Sequence, residues 1–565
     1  MSGSFQTNAR QEGILAILLF MLTAGLTYYR LFIGVSVGDE AFFPMIATFP
    51  LIGGEWFVRE QSIQQMSGIL TSPFAMTYKF FFGSTGIMLF FRHLHWLLSL
   101  GVALNFFQYL RNHIRWPVAL VLAMSAMAFV PNSIASLNYN SQGSLFFGLA
   151  TLLACRAVDE KRKLLAAASG VAWVFCVYSY PMMIAGFVVF SLAAAVLTLS
   201  KPQTRQTFAI PFAGGVLGSS LILGGHLLYI GIDNIRSSLE FSALFASPGA
   251  FWKIPFSLNL IANYLPPRWL TLAVLAVWII GGFRNANFSA GGCILFLATY
   301  IFFGINYEGN PSQILWPVLE FLLIIFLVHR RLHLDNDERN LLWLVVLPAI
   351  AASIAACLAS RMTVYATCLS GLFGGLAIVV LMTWRQPWMA WLASLLITGN
   401  SLYYYLQSAY EDDRVSELTY QIEGGPWAGL FTFPAKGRFL EELQADLHSL
   451  EPNLKGKTIL YKDLFPGGYL MTDNNPPGGP TTYIAPALFY MPQRPIYNHI
   501  YSDPQNRPDV VVELIYYPAT MNQNWFYNVP EQNPYNDPFH DFFIKTGEYE
   551  IILNRNAYRV LARKS

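Results

Sequence analysis

Apolar stretches long enough to cross a bilayer recur through roughly the first 400 positions of this chain, broken by short polar segments and two longer ones. In hydrocarbon every backbone amide must be satisfied within its own segment or a closed sheet, so repeated stretches of about 20 apolar residues restrict the chain to packed helices. Such stretches begin near Gly13, Ser84, Trp116, Ser141, Leu164, Met182, Phe208, Arg268, Phe288, Ser312, Leu341, Met362 and Trp388. Several are short or interrupted, so the expectation is about 11 to 13 spanning helices. Charged residues make up 12% of the chain, against about a quarter in a soluble domain, and mean hydropathy is +0.42.

Basic residues give the orientation. Arg111 and Arg115; Arg156, Lys161, Arg162 and Lys163; Lys201 and Arg205; Arg284; Arg330, Arg331 and Arg339; and Arg385 fall in alternate loops, which should therefore be cytoplasmic. The short loops between them, around 132–140, 179–181 and 306–313, carry no Lys or Arg. The first apolar stretch reads as a retained anchor with a cytoplasmic N-terminus, because it is long and has no small-residue cleavage site. An odd number of spans then puts the segment after the first span and the polar C-terminal portion together, outside a cytoplasmic (inner) membrane. The net charge of +2 and the lack of a basic run argue against nucleic acid. Cys155, Cys176, Cys293, Cys357 and Cys368 lie in apolar segments without paired spacing and read as packing residues.

From about position 408 the composition turns polar, with frequent Pro and Gly. Residues 439–450 read as a helix with Phe439, Leu440, Leu443, Leu447 and Leu450 on its apolar face. Period-two segments at 458–461, 509–512, 549–553 and 557–561 read as strands, the last two as a hairpin through Asn554-Arg555-Asn556. The expected fold class is a polytopic α-helical membrane protein with a C-terminal extracytoplasmic α/β domain. Residues 1–407 form the membrane part, with outer loops 38–82 and 232–267, and residues 408–565 form the domain.

Chemistry concentrates at Asp39-Glu40, just outside the first span. Adjacent side chains diverge on a helix, so one carboxylate would act as general base while the other orients it, binds a metal or pairs with a cation. Asp39 also suits the cap of a short amphipathic helix over 42–49 with Pro44 in its first turn, and one residue can serve both purposes. Outer-face cations stand at suitable heights to hold a lipid phosphate: Arg59 and Lys79 in the first outer loop, Arg92, His93 and His95 in the second span, His226, Arg268 and Arg361. Arg92 is flanked by Phe90-Phe91 and Leu94, and a charge within a span is costly enough to mark function or a paired carboxylate. Asn138 and Asn140 bring polar groups to the same face, as contacts to a sugar or as ends of spans, and the outer loop 306–311 with Glu308 reads as a cover over a bound head group or as an ordinary turn. No nucleotide-binding loop, serine elbow or zinc motif is present, and the acidic pair leaves a divalent metal open.

Gly38-Asp39-Glu40 after an opening span, Gly53-Gly54, Ser72-Pro73-Phe74, Lys79-Phe80-Phe81-Phe82-Gly83, Leu89-Phe90-Phe91-Arg92-His93-Leu94 and Asn138-Tyr139-Asn140 together resemble the GT-C glycosyltransferases. The bacterial branch related to protein O-mannosyltransferases and aminoarabinose-lipid A transferases is the most similar. The resemblance covers about the first 200 residues, with Ala41-Phe42-Phe43 and Arg361-Met362-Thr363-Val364-Tyr365 departing from the usual pattern. It implies an inverting transferase that moves a sugar from a polyprenyl-phosphate donor to a glycan, lipid or protein outside the membrane. Asp39 would be the base and Glu40 its neighbour. Arg92, His95, Lys79, Arg59, Arg268 and Arg361 would hold the donor phosphate, and Asn138, Asn140, Tyr365 and Glu308 would contact sugar or acceptor. The C-terminal domain resembles small periplasmic domains that recognise the acceptor or cover the site. A transporter or flippase of lipid-linked saccharides and an O-antigen polymerase or ligase are the competing readings.

Overall fold

The computed structural model describes residues 2–60, 62, 64–199, 202–244, 294–301, 315–316, 319, 335–359, 367–383, 386–410, 412–462, 465–472, 503–514 and 545–564. The apolar stretches form helices α1 (Ser2–Arg30), α4 (Ile87–Leu110), α5 (Trp116–Ala128), α6 (Tyr139–Glu160), α7 (Lys163–Ser179), α8 (Ile184–Leu199), α9 (Ile210–Ile230), α11 (Asn336–Ala359), α12 (Cys368–Thr383) and α13 (Pro387–Gln407). Outside these lie α2 (Asp39–Ala47), α3 (Gln65–Phe82) and α10 (Ile232–Leu244). Among the described residues six helices are long and apolar enough to cross a membrane, and α5, α7 and α12 are shorter apolar helices. The protein is a multi-pass helical membrane protein. The expected spans opening at Arg268 and Ser312 lie wholly or mostly outside the described residues.

Burial sorts the helices by position. Along α6, 83% of the span is buried, against 17% along the segment 205–230 that contains α9. Met21 on α1 and Ile222 on α9 are 63% and 75% exposed. Rows of this kind are tolerable only against lipid. Where α7 meets α9, a Cβ on Gly215 would sit 2.1 Å from the Ala167 carbonyl oxygen, and one on Gly170 would sit 2.4 Å from that of Phe212. Without a hydrophobic drive between helices in lipid, such backbone approach is what packing uses.

The C-terminal part builds helix α14 (Pro434–Ser449), which buries Phe439, Leu440, Leu443 and Leu447 against a four-stranded sheet. Strands β1 (Ile459–Tyr461) and β2 (Val510–Leu514) pair in parallel, while β4 (Tyr558–Arg563) runs antiparallel between β2 and β3 (Tyr549–Asn554). The helix and all four strands fall where the apolar periodicity places them. Asp446 on α14 accepts from Arg555 Nε and Nη2 at 2.8 and 2.9 Å and from the Tyr558 hydroxyl at 2.6 Å. This strap ties the helix to the hairpin.

The short helix expected over 42–49, with one polar face, is instead enclosed on every side as α2. Every residue of α2 from Glu40 to Ala47 is buried. After the acidic pair its residues are apolar on all sides, and such a helix is stable only when enclosed. Its core is continuous with that of the C-terminal domain, and Trp427, Phe465 and Tyr469 join Ala41, Phe42 and Phe43 in one cluster.

Two outcomes follow. Gly215→Val forces α7 and α9 apart and costs roughly 1–3 kcal/mol, readable as a lowered melting temperature in detergent. The Asp446 carboxyl is held below its ordinary value by the Arg555 hydrogen bonds, burial opposing and the Tyr558 hydroxyl assisting. A depressed pKa stabilises above the unfolded value of about 4 and loses that contribution as pH falls through the folded value. Asp446→Asn should therefore remove it at neutral pH and flatten the acid limb of the melting-temperature profile.

Candidate functional site

The site is built on residues 31–38, the extended segment between α1 and α2, where all but Phe32 are buried. On its membrane side Arg92 of α4 reaches across. Arg92 Nε donates to Glu40 Oε1 at 2.6 Å and Nη2 to Glu40 Oε2 at 2.7 Å, a bidentate pair with both side chains at most 4% exposed. Nη1 donates to the carbonyls of Leu31 and Ile33 at 2.7 and 3.1 Å, and Nη2 to that of Gly34 at 2.7 Å. A guanidinium has five N–H donors in a fixed fork, and all five are engaged here. In this arrangement Arg92 has no donor left for a phosphate.

Arg30 closes α1 and donates from Nε to the Tyr405 carbonyl at 2.8 Å and from Nη1 to the Ile33 carbonyl, with its guanidinium 5.1 Å from the Tyr405 ring centre. Gly34 has φ +87°, and a Cβ there would stand 2.6 Å from the Ala409 Cβ, so only glycine suits both the turn and the approach.

On the other side the C-terminal domain holds the same segment. Phe431 N–H donates to the Phe32 carbonyl at 2.7 Å, and Gly34 N–H to the Phe431 carbonyl at 2.8 Å. Asp412 accepts the Val35 N–H at 2.6 Å, and Lys436 Nζ donates to the Val35 carbonyl at 2.5 Å. Trp427 Nε1 and Gly467 N–H reach the carbonyls of Ser36 and Val37, each at 3.2 Å.

The two carboxylates of the acidic pair diverge at the N-terminus of α2. Glu40 turns inward to Arg92. Asp39 is half-buried, and its Oδ2 accepts a hydrogen bond from the Tyr410 hydroxyl. Gly38 rather than Asp39 precedes the helix, and the Glu40 N–H of its first turn donates to the Ser36 hydroxyl at 3.2 Å. Asp39 lies in the first turn, where the helix dipole favours a carboxylate. The Tyr139 ring packs 5.8 Å from Phe43 and 5.4 Å from Tyr180. The cluster balances three buried cations, Arg30, Arg92 and Lys436, against the buried Glu40 and Asp412 and the half-buried Asp39.

The other expected residues scatter around this centre. His95 is buried at i+3 from Arg92, on the same face of α4. His93 turns away and bonds through Nε2 to the Tyr28 hydroxyl at 3.2 Å. Lys79 sits in the last turn of α3, about 10 Å along that helix from Ser72, whose hydroxyl ties α3 to the end of α2. Arg59 is half-buried in the turn after Glu55. The His226 ring stacks edge-on to Trp56 at 5.4 Å. Asn138 caps α6, its Oδ1 accepting from the N–H groups of Asn140 and Ser141, with Ser141 Oγ answering in a reciprocal box. Arg268, Glu308, Arg361 and Tyr365 lie outside the described residues. Among the described residues no group of three or more His, Cys, Asp or Glu is placed to hold a metal.

Sequence reasoning missed Arg30, Tyr405, Tyr410, Asp412 and Lys436. Arg30 carried a readable signal, a charge at the end of an apolar stretch. The other four are joined to the site only across hundreds of residues.

No protein-family model matches the chain, and no curated protein matches it in sequence. Among solved structures it is similar to ArnT from Cupriavidus metallidurans in the apo state, at 12% identity and a TM-score of 0.39, over 97% of each chain. It is similar to the same protein bound to undecaprenyl phosphate at the same identity and TM-score, over 97% of this chain and 98% of that one. A likeness this distant does not decide an activity. The geometry around Asp39 stands independently of it.

Replacing Arg92 by Met leaves the Glu40 carboxylate buried and unpaired, and should cost about 3–5 kcal/mol of stability. Arg92→Lys should recover little, because a point charge cannot serve a carboxylate and three carbonyls together. Thermal melts of the purified variants check both.

Proposed function

We propose that the protein is a membrane glycosyltransferase that moves a sugar from a polyprenyl-phosphate donor to a hydroxyl acceptor on a glycan, lipid or protein, with Asp39 as general base. The observation that carries this is the division of labour within the acidic pair. Both oxygens of Glu40 are held by Arg92, while Asp39 already accepts a hydrogen bond from a hydroxyl, that of Tyr410. The phenol stands where an acceptor hydroxyl would have to present its proton.

In the reaction so described, the acceptor O–H gives its proton to Asp39 as its oxygen attacks the anomeric carbon of the donor sugar. The bond from that carbon to the phosphate oxygen breaks, and polyprenyl phosphate leaves with the electron pair. Attack opposite the leaving group inverts the anomeric centre. The departing phosphate needs cations. With Arg92 fully engaged, that role passes to Lys79 and Arg59, together with Arg268 and Arg361. Glu40 and Arg92 together set the height and angle of the first turn of α2. The resemblance of the first 200 or so residues to GT-C enzymes supports the donor class, as does an outer acidic pair beside apolar helices.

The test is incubation of purified protein with a panel of radiolabelled polyprenyl-phosphate sugars and membrane extracts, following label from carrier lipid into a larger product. Asp39→Asn should lower transfer by about 10²–10⁴-fold while the melting temperature stays near that of the parent. Tyr410→Phe should have a smaller effect. Near-normal transfer by the Asp39 variant would overturn the assignment.

A further inference from the structure

Asp412 and Lys436 form an ion pair with neither side chain exposed, Nζ to Oδ1 at 2.6 Å. Burying two charges in this way is costly, and well-packed apolar residues commonly hold two surfaces together as well or better. What apolar residues cannot do is bind a peptide. Here the pair takes both polar groups of Val35, with the N–H going to Asp412 Oδ2 and the carbonyl to Lys436 Nζ. Thr432 Oγ1 donates to the same Asp412 oxygen at 2.7 Å and fixes its rotamer. Val35 is 377 residues from Asp412 and four before Asp39. Gly34, Ser36 and Val37 are each hydrogen-bonded by the same domain, so four consecutive residues leading to Asp39 are held by it.

We infer that the Asp412–Lys436 pair is a clamp by which the C-terminal domain sets the position of Asp39, making the domain a structural component of the site rather than an appended cover. Tyr410, two residues before Asp412, reaches Asp39 because the clamp holds the two segments in register. The pair touches no reacting atom in the proposed reaction. Asp412 and Lys436 are positioning residues, and their catalytic consequence rests on the reading of Asp39 as base.

The experiment uses the full chain in lipid nanodiscs, comparing the parent with the double variant Asp412→Leu, Lys436→Met. Removing both charges together leaves no unpaired ion but does leave the Val35 N–H and carbonyl without partners, so the melting temperature should fall, though by less than in either single variant. Amide exchange across residues 31–40 should quicken about tenfold. Transfer should fall about 100-fold in kcat with donor KM little changed, as expected for a misplaced base rather than a lost binding contact. Unchanged exchange over 31–40 overturns the clamp whatever happens to activity, and faster exchange with unchanged kcat overturns its positioning role. If Asp39→Asn proves active, the function reading fails, while the exchange measurement still decides the clamp. Should the double variant not fold, Thr432→Val is close to isosteric and frees only one donor to Asp412. It should quicken the same exchange about threefold, and no change there overturns the clamp.

Discussion

The Arg92–Glu40 pair is the interaction on which the rest of the site depends. A guanidinium enclosed beside apolar side chains must have every donor satisfied, and its planar fork dictates where the acceptors stand. Here the acceptors are one carboxylate and the carbonyls of Leu31, Ile33 and Gly34. The pair therefore does more than neutralise itself. It prescribes the path of the chain from the end of α1 to the start of α2, and with it the direction in which Asp39 points. Such a pair adds little net stability over an apolar substitute, but it admits far fewer arrangements.

That prescription is matched from outside the bundle. Residues 31–37 are gripped by α4 on one side and by the C-terminal domain on the other, and α2 is enclosed in the core they share. The helix after the acidic pair consequently does not rest on a membrane surface. A covered first turn also bears on chemistry. In a site partly closed to water, a carboxylate at a helix N-terminus keeps a defined direction, and a hydroxyl donor at its oxygen has few competitors.

Much of the architecture could be read from the chain. Apolar length located the spanning helices, because lipid leaves the backbone no other arrangement. The spacing of Phe439, Leu440, Leu443 and Leu447 marked α14, and alternation marked β1 to β4, because both depend on neighbours a few residues away. The divergence of Asp39 and Glu40 followed from the same local geometry. Asn138 had two readings, sugar contact or helix end, and the structure shows its oxygen engaged in the cap of α6.

What the sequence alone determined is thus the set of elements and the place where carboxylates gather beside the membrane. The tertiary structure decided which partner each carboxylate takes. Glu40 meets Arg92 across 52 residues, Asp39 meets Tyr410 across 371, and Val35 meets Lys436 across 401. No periodicity reports such pairings, because they arise when separate surfaces close on one another and each buried polar group must find an acceptor or donor. That requirement turned Arg92 from an isolated charge within a span into the pin of the loop, and it brought a remote tyrosine to the carboxylate of Asp39.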